Sequence, residues 1–167
     1  MKQKENARES ILFFLWFMEK KPGFFKMTLN FKYSRIPDSD GIISLIPQVP
    51  ITLVGKEVIV AMAILDSGAD TCVISKNMAD KLGLSFIVSK EFSRGIGGRV
   101  DSAGSKMILV IQQGQERYRF NIPVTIILKS GEFPVLLGQE GFFDKFIITF
   151  DRKEESFWLK KKGGLFS

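Results

Sequence analysis

Two carboxylates stand close together at residues 66 to 70, Asp-Ser-Gly-Ala-Asp, directly after an apolar run that ends at Leu65. A strand ending here would present the carboxylate of Asp66 at a sharp bend, where it can exchange a proton. Gly68 permits backbone angles that a side chain forbids and lets another segment approach closely, and Ser67 can hydrogen-bond to nearby backbone. On these residues alone, a turn in which Asp66 only binds neighbouring N–H groups is the favoured interpretation.

The composition narrows the chemistry that the chain can perform. Its 167 residues include no histidine and a single cysteine, Cys72. Catalysis by Ser-His-Asp or Cys-His groups is therefore excluded, and the commonest metal ligand is missing. Cys72 cannot form an internal disulfide, which favours a reducing, cytoplasmic location, and it is more typical of a small core residue than of a nucleophile. Mainly carboxylate chemistry remains, and we expect neither a metal nor a cofactor.

The net charge of +6 is concentrated near the two ends of the chain. Residues 1–26 contain six Lys or Arg against three Asp or Glu, and residues 151–167 contain five against three. The 124 residues between them therefore carry a net charge of only +1. These basic ends allow the hypothesis of a β-barrel that binds nucleic acid. Because no basic stripe crosses the body of the chain, this hypothesis is not favoured, and we do not expect nucleic acid as a partner.

Residues 1–27 form an N-terminal extension whose centre, ILFFLWFM at 11–18, is uninterruptedly apolar. Eight residues are too few to span a bilayer, which needs about 20. No small-residue cleavage site follows the run, as a signal peptide would require. Three interpretations stay open: a short helix docked on the domain, an interfacial membrane anchor, or translated upstream sequence with Met27 as the true start. The first and third are favoured over peripheral membrane association.

From Thr28 onward the sequence consists of short β-prone runs separated by turn signals. A hairpin is predicted at Gly55-Lys56, and a helix is predicted at 75–84 with Ser75 as N-cap and Gly83 as its stop. A second short helix is expected at 138–146. The remaining predicted strands cover residues 28–36, 49–55, 56–65, 106–113, 115–122, 124–129, 146–151 and 156–160. The pattern predicts a single-domain, all-β closed barrel over residues 28–160, followed by a basic tail at 161–167.

Two glycine-rich segments accompany the acid turn. Gly95-Ile96-Gly97-Gly98 lacks the pattern of a phosphate loop but suits the tip of a long β-hairpin, because glycines supply mobility and positive φ. Phe133 to Leu137 is an apolar strand that stops at Gly138. A strand that ends at a glycine beside the acid turn would pack behind the turn and fix its position.

Together, in this order, the three segments resemble those of the retropepsin-like aspartic proteases, the family of the retroviral proteases and their prokaryotic relatives. Residues 65–69 match the catalytic turn, residues 95–98 match the flap tip, and residues 135–138 match the strand-glycine motif that precedes the family's C-terminal helix. The closing run LLGQEGFFDKFIITFD is similar to the small prokaryotic members. The resemblance covers roughly residues 28–160.

The resemblance implies an aspartic endopeptidase that binds a peptide in extended form and uses no cofactor. It assigns catalytic roles to Asp66, Ser67 and Gly68. It assigns substrate contacts to Ala69, Asp70, Gly95, Ile96, Gly97, Gly98 and Val135. Because the chain has one Asp-Ser-Gly motif, a site with two carboxylates requires a homodimer in which each subunit contributes one Asp66. The alternative hypothesis is a catalytically inert relative that keeps the fold for dimerisation or peptide binding.

One position departs from the family pattern. Retroviral members usually have an arginine directly after the strand glycine, where it pairs with the acid that Asp70 matches. Here that position is Gln139. Asp70 is therefore expected to bond to backbone, to Gln139 or to a basic residue elsewhere.

Overall fold

The computed structural model describes residues 28–86, 92–95 and 98–163, with only the backbone described for 92–95. The single helix of these residues, α1, covers Lys76–Leu82. The strands are β1 Thr28–Lys32, β2 Ser34–Pro37, β3 Ile43–Ile46, β4 Gln48–Val54, β5 Val58–Leu65, β6 Cys72–Ser75, β7 Phe92–Gly95, β8 Gly98–Gln113, β9 Glu116–Ile127, β10 Val135–Leu137, β11 Phe146–Asp151 and β12 Ser156–Lys161. The predicted N-terminal extension, residues 1–27, lies outside the described residues.

Six strands close into a barrel, which confirms the predicted fold class. Their order is β4, β5, β10, β6, β9 and β8, and β8 pairs again with β4 to complete the ring. Most neighbours are antiparallel, but β10 runs parallel to β5, and β6 runs parallel to β9. Alternation along each strand fills the interior: Val49, Ile51 and Leu53 of β4 are almost fully buried.

A second sheet, of strand order β1, β12 and β11, stands beside the barrel. Aromatic packing joins the two, because the ring of Phe146 in β11 contacts Tyr118 and Phe120 of β9 edge to face at centroid distances of 5.7 Å. Two hydrogen bonds between Gln113 of β8 and Asn30 of β1 add a polar connection. β2 and β3 form a separate two-stranded sheet.

The predicted hairpin at Gly55 and the predicted helix are both confirmed. Ser75 caps α1, since its hydroxyl accepts a hydrogen bond from the N–H of Met78 at 3.3 Å. Gly83 follows the helix with φ of +66°, a left-handed conformation that ends helices. Among the described residues, no helix has the length and apolar character needed to cross a membrane.

Four predicted elements differ in the structure, three strands and one helix. The strand at 28–36 breaks at Tyr33, whose N–H donates to Glu155 O at 3.0 Å. The two strands at 115–122 and 124–129 are the single strand β9, which continues through Pro123. A proline is tolerated there because β9 begins to pair with β6 only at Val124.

The predicted helix at 138–146 is a series of tight turns without α-helical hydrogen bonding. The N–H of Phe143 donates to Gly138 O at 3.1 Å, and that of Asp144 donates to Gln139 O at 3.0 Å, five residues apart in each case. Gly141 lies within it at φ of +98°. A glycine in this conformation does not continue a helix.

Candidate active site

The acid turn begins where β5 ends, and β10 holds it there. Leu137 is the parallel partner of Leu65, and the N–H of Asp66 donates to Leu137 O at 3.0 Å. Because successive residues of a strand point to opposite faces, buried Leu65 leaves Asp66 on the face opposite the core. The half-buried carboxylate is thus delivered at the end of a strand fixed on both sides.

The turn itself has the local geometry that the three residues predict. Gly68 N–H donates to Asp66 Oδ1 at 2.9 Å, and Ala69 N–H donates to Asp66 O at 3.3 Å. The Asx-type turn is therefore present, but it uses only one carboxylate oxygen. Within the described part of the chain, Asp66 Oδ2 forms no hydrogen bond. That oxygen remains available to a proton, a water or a second carboxyl group.

Gly138 supports the turn from behind, as the sequence predicts. A Cβ at this position would lie 2.7 Å from Ala69 O and would also overlap the carbonyl of Thr71. The residues after Gly138 bind the turn through backbone: Gln139 N–H donates to Ala69 O at 2.9 Å, and Glu140 N–H donates to Asp70 O at 2.8 Å. A side chain at residue 138 would separate these segments, so the close approach requires glycine.

Gln139, which replaces the arginine of the family pattern, also helps to hold the acid turn in place. Its side-chain amide donates to Ser67 O at 2.8 Å. The carboxylate of Asp70 has no hydrogen bond within the described residues, so none of the three partners expected for this acid is found there. Only its backbone carbonyl is bonded, to the N–H of Glu140. Gln139 therefore holds the acid turn directly instead of pairing with Asp70.

The base of the turn is closed by Thr71 and Cys72. The hydroxyls of Thr71 and Thr125 lie 2.6 Å apart and form a hydrogen bond between the turn and β9. Cys72 is fully buried, and burial raises the pKa of its thiol to about 11. A buried thiol with a raised pKa is a poor nucleophile, which agrees with the structural role expected for Cys72.

An apolar row that sequence reasoning missed lies on the face of Asp66. Leu136 is in register with Ile64 of β5 on one side and with Val73 of β6 on the other, and all three are half-buried. By contrast Val135, the residue predicted to contact substrate, is 1% exposed in the core. Strand alternation in Val135-Leu136-Leu137 was the signal that could have indicated Leu136.

The predicted glycine-tipped hairpin is formed by β7 and β8. Its strands pair from Phe92 with Asp101 to Gly95 with Gly98, and Gly98 has φ of +102°, which favours glycine. The predicted contacts Ile96 and Gly97 lie outside the described residues.

The described residues do not bring together any group of three or more Cys, Asp or Glu side chains that could hold a metal ion. Asp66 accepts the backbone N–H of Gly68, and the apolar row of Ile64, Leu136 and Val73 lies on its face. Such a group can act as a general acid or base, and a second carboxyl group nearby would make the two share a proton.

A closed barrel that presents an Asp-Ser-Gly turn, supported by a strand ending in glycine, is the arrangement of the retropepsin-like aspartic proteases. The family model of the aspartyl proteases matches residues 49–140, and the chain belongs to this family. The match spans β4 through the segment after β10 and includes both the acid turn and Gly138.

Solved structures of this class resemble the chain at low sequence identity. A retropepsin-like aspartic protease from Rickettsia conorii is 19% identical, with a TM-score of 0.48 over 80% of this chain and 92% of that one. The EIAV protease in complex with an inhibitor is 16% identical, with a TM-score of 0.43 over 56% of this chain and 82% of that one. No curated protein matches the sequence significantly.

Proposed function

We propose that the protein is an aspartic endopeptidase that acts as a homodimer, with a catalytic pair formed by Asp66 of each subunit. The supporting observation is the state of this carboxylate: Oδ1 is held by Gly68 N–H at 2.9 Å, while Oδ2 has no partner within the described residues. One subunit supplies one such group. Peptide hydrolysis by this chemistry needs two, so the site is complete only when a second copy is present.

The pair works because two adjacent carboxyl groups cannot both ionise cheaply and therefore share a proton. The ionised partner takes a proton from a bound water, which attacks the peptide carbonyl. The protonated partner donates to the carbonyl oxygen as the tetrahedral intermediate forms. Collapse of the intermediate breaks the C–N bond: the carboxyl that took the water's proton donates it to the leaving nitrogen, and the other carboxylate takes a hydroxyl proton back from the intermediate. No metal, cofactor or histidine takes part.

The neighbouring residues suit an extended peptide. The half-buried row of Ile64, Leu136 and Val73 offers an apolar surface beside Asp66 for a hydrophobic side chain next to the cleaved bond. The β7–β8 hairpin, which we propose to act as a flap, would cover the substrate and exclude water. Ser67, Gly68, Ala69 and Asp70 would contact the partner turn or the substrate backbone.

The test is cleavage of a peptide library by the purified protein at roughly pH 4 to 7, where coupled carboxylates operate. Asp66→Asn should lower kcat/KM at least about a thousandfold, because the shared proton and the base are lost together. Asp80→Asn is the matched control. Asp80 is an exposed carboxylate in α1 whose one ion pair in the described part of the chain is with Lys76, at 2.6 Å, so its loss should leave the rate unchanged.

Sedimentation of both variants completes the test, because the dimer should persist when the acid is neutralised. A dimer that cleaves no peptide at any pH would contradict the protease and favour the inert peptide-binding relative. Cleavage that survives in Asp66→Asn would show that another group performs the chemistry.

A further inference from the structure

The β2–β3 hairpin, residues 34–46, is a two-stranded arm that exposes apolar side chains. Ile36, Ile42 and Ile43 are 40%, 65% and 54% exposed, and all three lie in the outer half of the arm. A lone two-stranded ribbon is marginally stable in water. Isoleucines grouped near its tip indicate a contact surface.

The tip of the arm is shaped by its own hydrogen bonds. Asp38 Oδ1 accepts the N–H groups of Asp40 at 2.9 Å and Ile42 at 2.8 Å, and Asp38 N–H donates to Ile42 O at 2.9 Å. In the described part of the chain, every hydrogen bond of residues 38–42 stays inside this turn. The tip is therefore formed before it binds anything, which lowers the entropy cost of binding.

The root of the arm is fixed beside the acid turn. Arg35 forms a two-pronged ion pair with Glu155, with Nε and Nη2 at 3.0 and 2.6 Å from Oε2. At the other strand of the arm, Pro47 O accepts the N–H of Leu65, the residue before Asp66, at 2.9 Å. The arm thus leaves the barrel at the end of β5 where the carboxylate is presented.

We propose that this arm packs against the second copy of the chain in the dimer, through Ile42 and Ile43. The inference rests on the proposed function, since the second Asp66 must arrive at the end of the barrel from which the arm projects. An acidic tip is compatible with this partner: residues 38–42 hold two carboxylates and no cation, whereas the whole chain carries +6, most of it near its two ends. Residues 11–18 of the same chain, or an unrelated protein, are the occupants that the tests below would reveal instead.

The first test is sedimentation equilibrium of the full chain with two matched double variants. Ile42→Ser with Ile43→Ser removes the tip isoleucines. Val58→Ser with Val60→Ser removes two valines of β5 that are 65% and 76% exposed and belong to the barrel surface. The arm variant should raise the dimer dissociation constant at least tenfold, about 1.4 kcal/mol, and the β5 variant should leave it unchanged. Equal dissociation constants for wild type and arm variant would overturn the proposal.

The second test locates the partner of the tip directly. Ser39→Cys places a thiol in the exposed turn, and Cys72 is fully buried, so a benzophenone maleimide should label only residue 39 of the folded protein. Irradiation should then give a covalent dimer, identified by mass spectrometry. A crosslink confined to one chain, including one to residues 1–27, would overturn the proposal.

The outcomes distinguish a failure of the arm proposal from a failure of the proposed protease function. If the wild type dimerises and cleaves peptides and the arm variant does the same with unchanged affinity, only the arm proposal fails. If dimerisation depends on the arm but no peptide is cleaved, the proposed protease fails and the arm stands. A wild type that is monomeric at every concentration contradicts both.

Discussion

At both ends of β5, a glycine allows two backbone segments to pack closely. At the catalytic end, Gly138 lies so close to the acid turn that a Cβ would be 2.7 Å from Ala69 O. At the opposite end, Gly55 lies against the last turn of α1, where a Cβ would be 3.0 Å from the carbonyl carbon of Leu82 and closer still to its oxygen. In both places a glycine brings two backbone segments into direct contact.

The two ends differ in whether the close packing leaves a polar atom without a hydrogen-bond partner. At the Gly55 end the polar groups bind one another: Lys56 N–H donates to Leu82 O at 2.8 Å, and Gly83 N–H donates to Asp80 O at 3.0 Å. At the catalytic end one oxygen of Asp66 has no partner among the described residues. Close packing of backbone therefore serves stability at one end and holds a reactive group in place at the other.

Among the changes that test this contrast between the two ends, Gly138→Ala should have the largest effect. The added methyl group must displace the backbone of Ala69 or Thr71, which we expect to destabilise the fold by about 3 kcal/mol. Because the acid turn moves with that backbone, kcat/KM should fall at least about a hundredfold even where the protein is folded. Chemical denaturation and peptide cleavage measure the two effects separately. A variant that is less stable but fully active would show that Gly138 only supports the fold.

Gly55→Ala is the matched change at the opposite end. It also forces a methyl group against a carbonyl, that of Leu82, so a loss of about 2 kcal/mol in the free energy of unfolding is expected. Its kcat/KM should stay within about twofold of wild type at a temperature where both are folded, because the acid turn is unaffected. A large loss of activity here would mean that the two ends are coupled, and the contrast between them would not hold.

The parts of this contrast that local chemistry determines can be predicted from the sequence. The acid turn, the glycine behind it, the cap at Ser75 and the stop at Gly83 each depend on a residue type whose backbone behaviour is specific. The closed barrel followed from short strands and frequent turns. These elements are predictable because their cause lies within a few residues.

Features set by distant partners could not be predicted in the same way. Gln139 binds Ser67 only because β10 places it there, 72 residues further along the chain. Pro123 stays within β9 because of where the pairing with β6 begins. Leu136, rather than Val135, lies on the face of Asp66, a choice that depends on the register of three strands. Register and strand order are long-range properties, and one sequence carries only a weak signal for them.

Gln139→Met should have a smaller effect on stability and on kcat/KM than Gly138→Ala, and it changes the catalytic end alone. Methionine has nearly the same length but cannot donate to Ser67 O, so the acid turn loses one hydrogen bond, about 1 kcal/mol. We expect kcat/KM to fall about fivefold. Gln112→Met, at an exposed position of β8, is the control and should change neither stability nor rate. An equal effect of both variants would assign the loss to the methionine rather than to the hydrogen bond.

The smallest effect, absent near neutral pH, concerns Cys72 beneath the acid turn. Burial, reinforced by the charge of Asp144, raises the pKa of its thiol from 9.0 to about 11 in the folded protein, against a weaker lowering by the backbone of Gly138. Above pH 9 the unfolded chain releases this proton while the folded chain keeps it. Stability should therefore fall as pH rises from about 9 to 11, and the fall should level off once the folded thiol also ionises.

Thermal unfolding of wild type and Cys72→Ala between pH 8 and 11 measures this dependence. Alanine leaves a small cavity, so the variant should melt lower at pH 8. The gap between the two melting temperatures should then narrow as pH rises, because only the wild type has a buried thiol proton to lose. Parallel curves would mean that the thiol of Cys72 ionises as easily in the folded chain as in the unfolded one. The base of the acid turn would then be open to solvent, and the tight closure inferred for the catalytic end would be wrong.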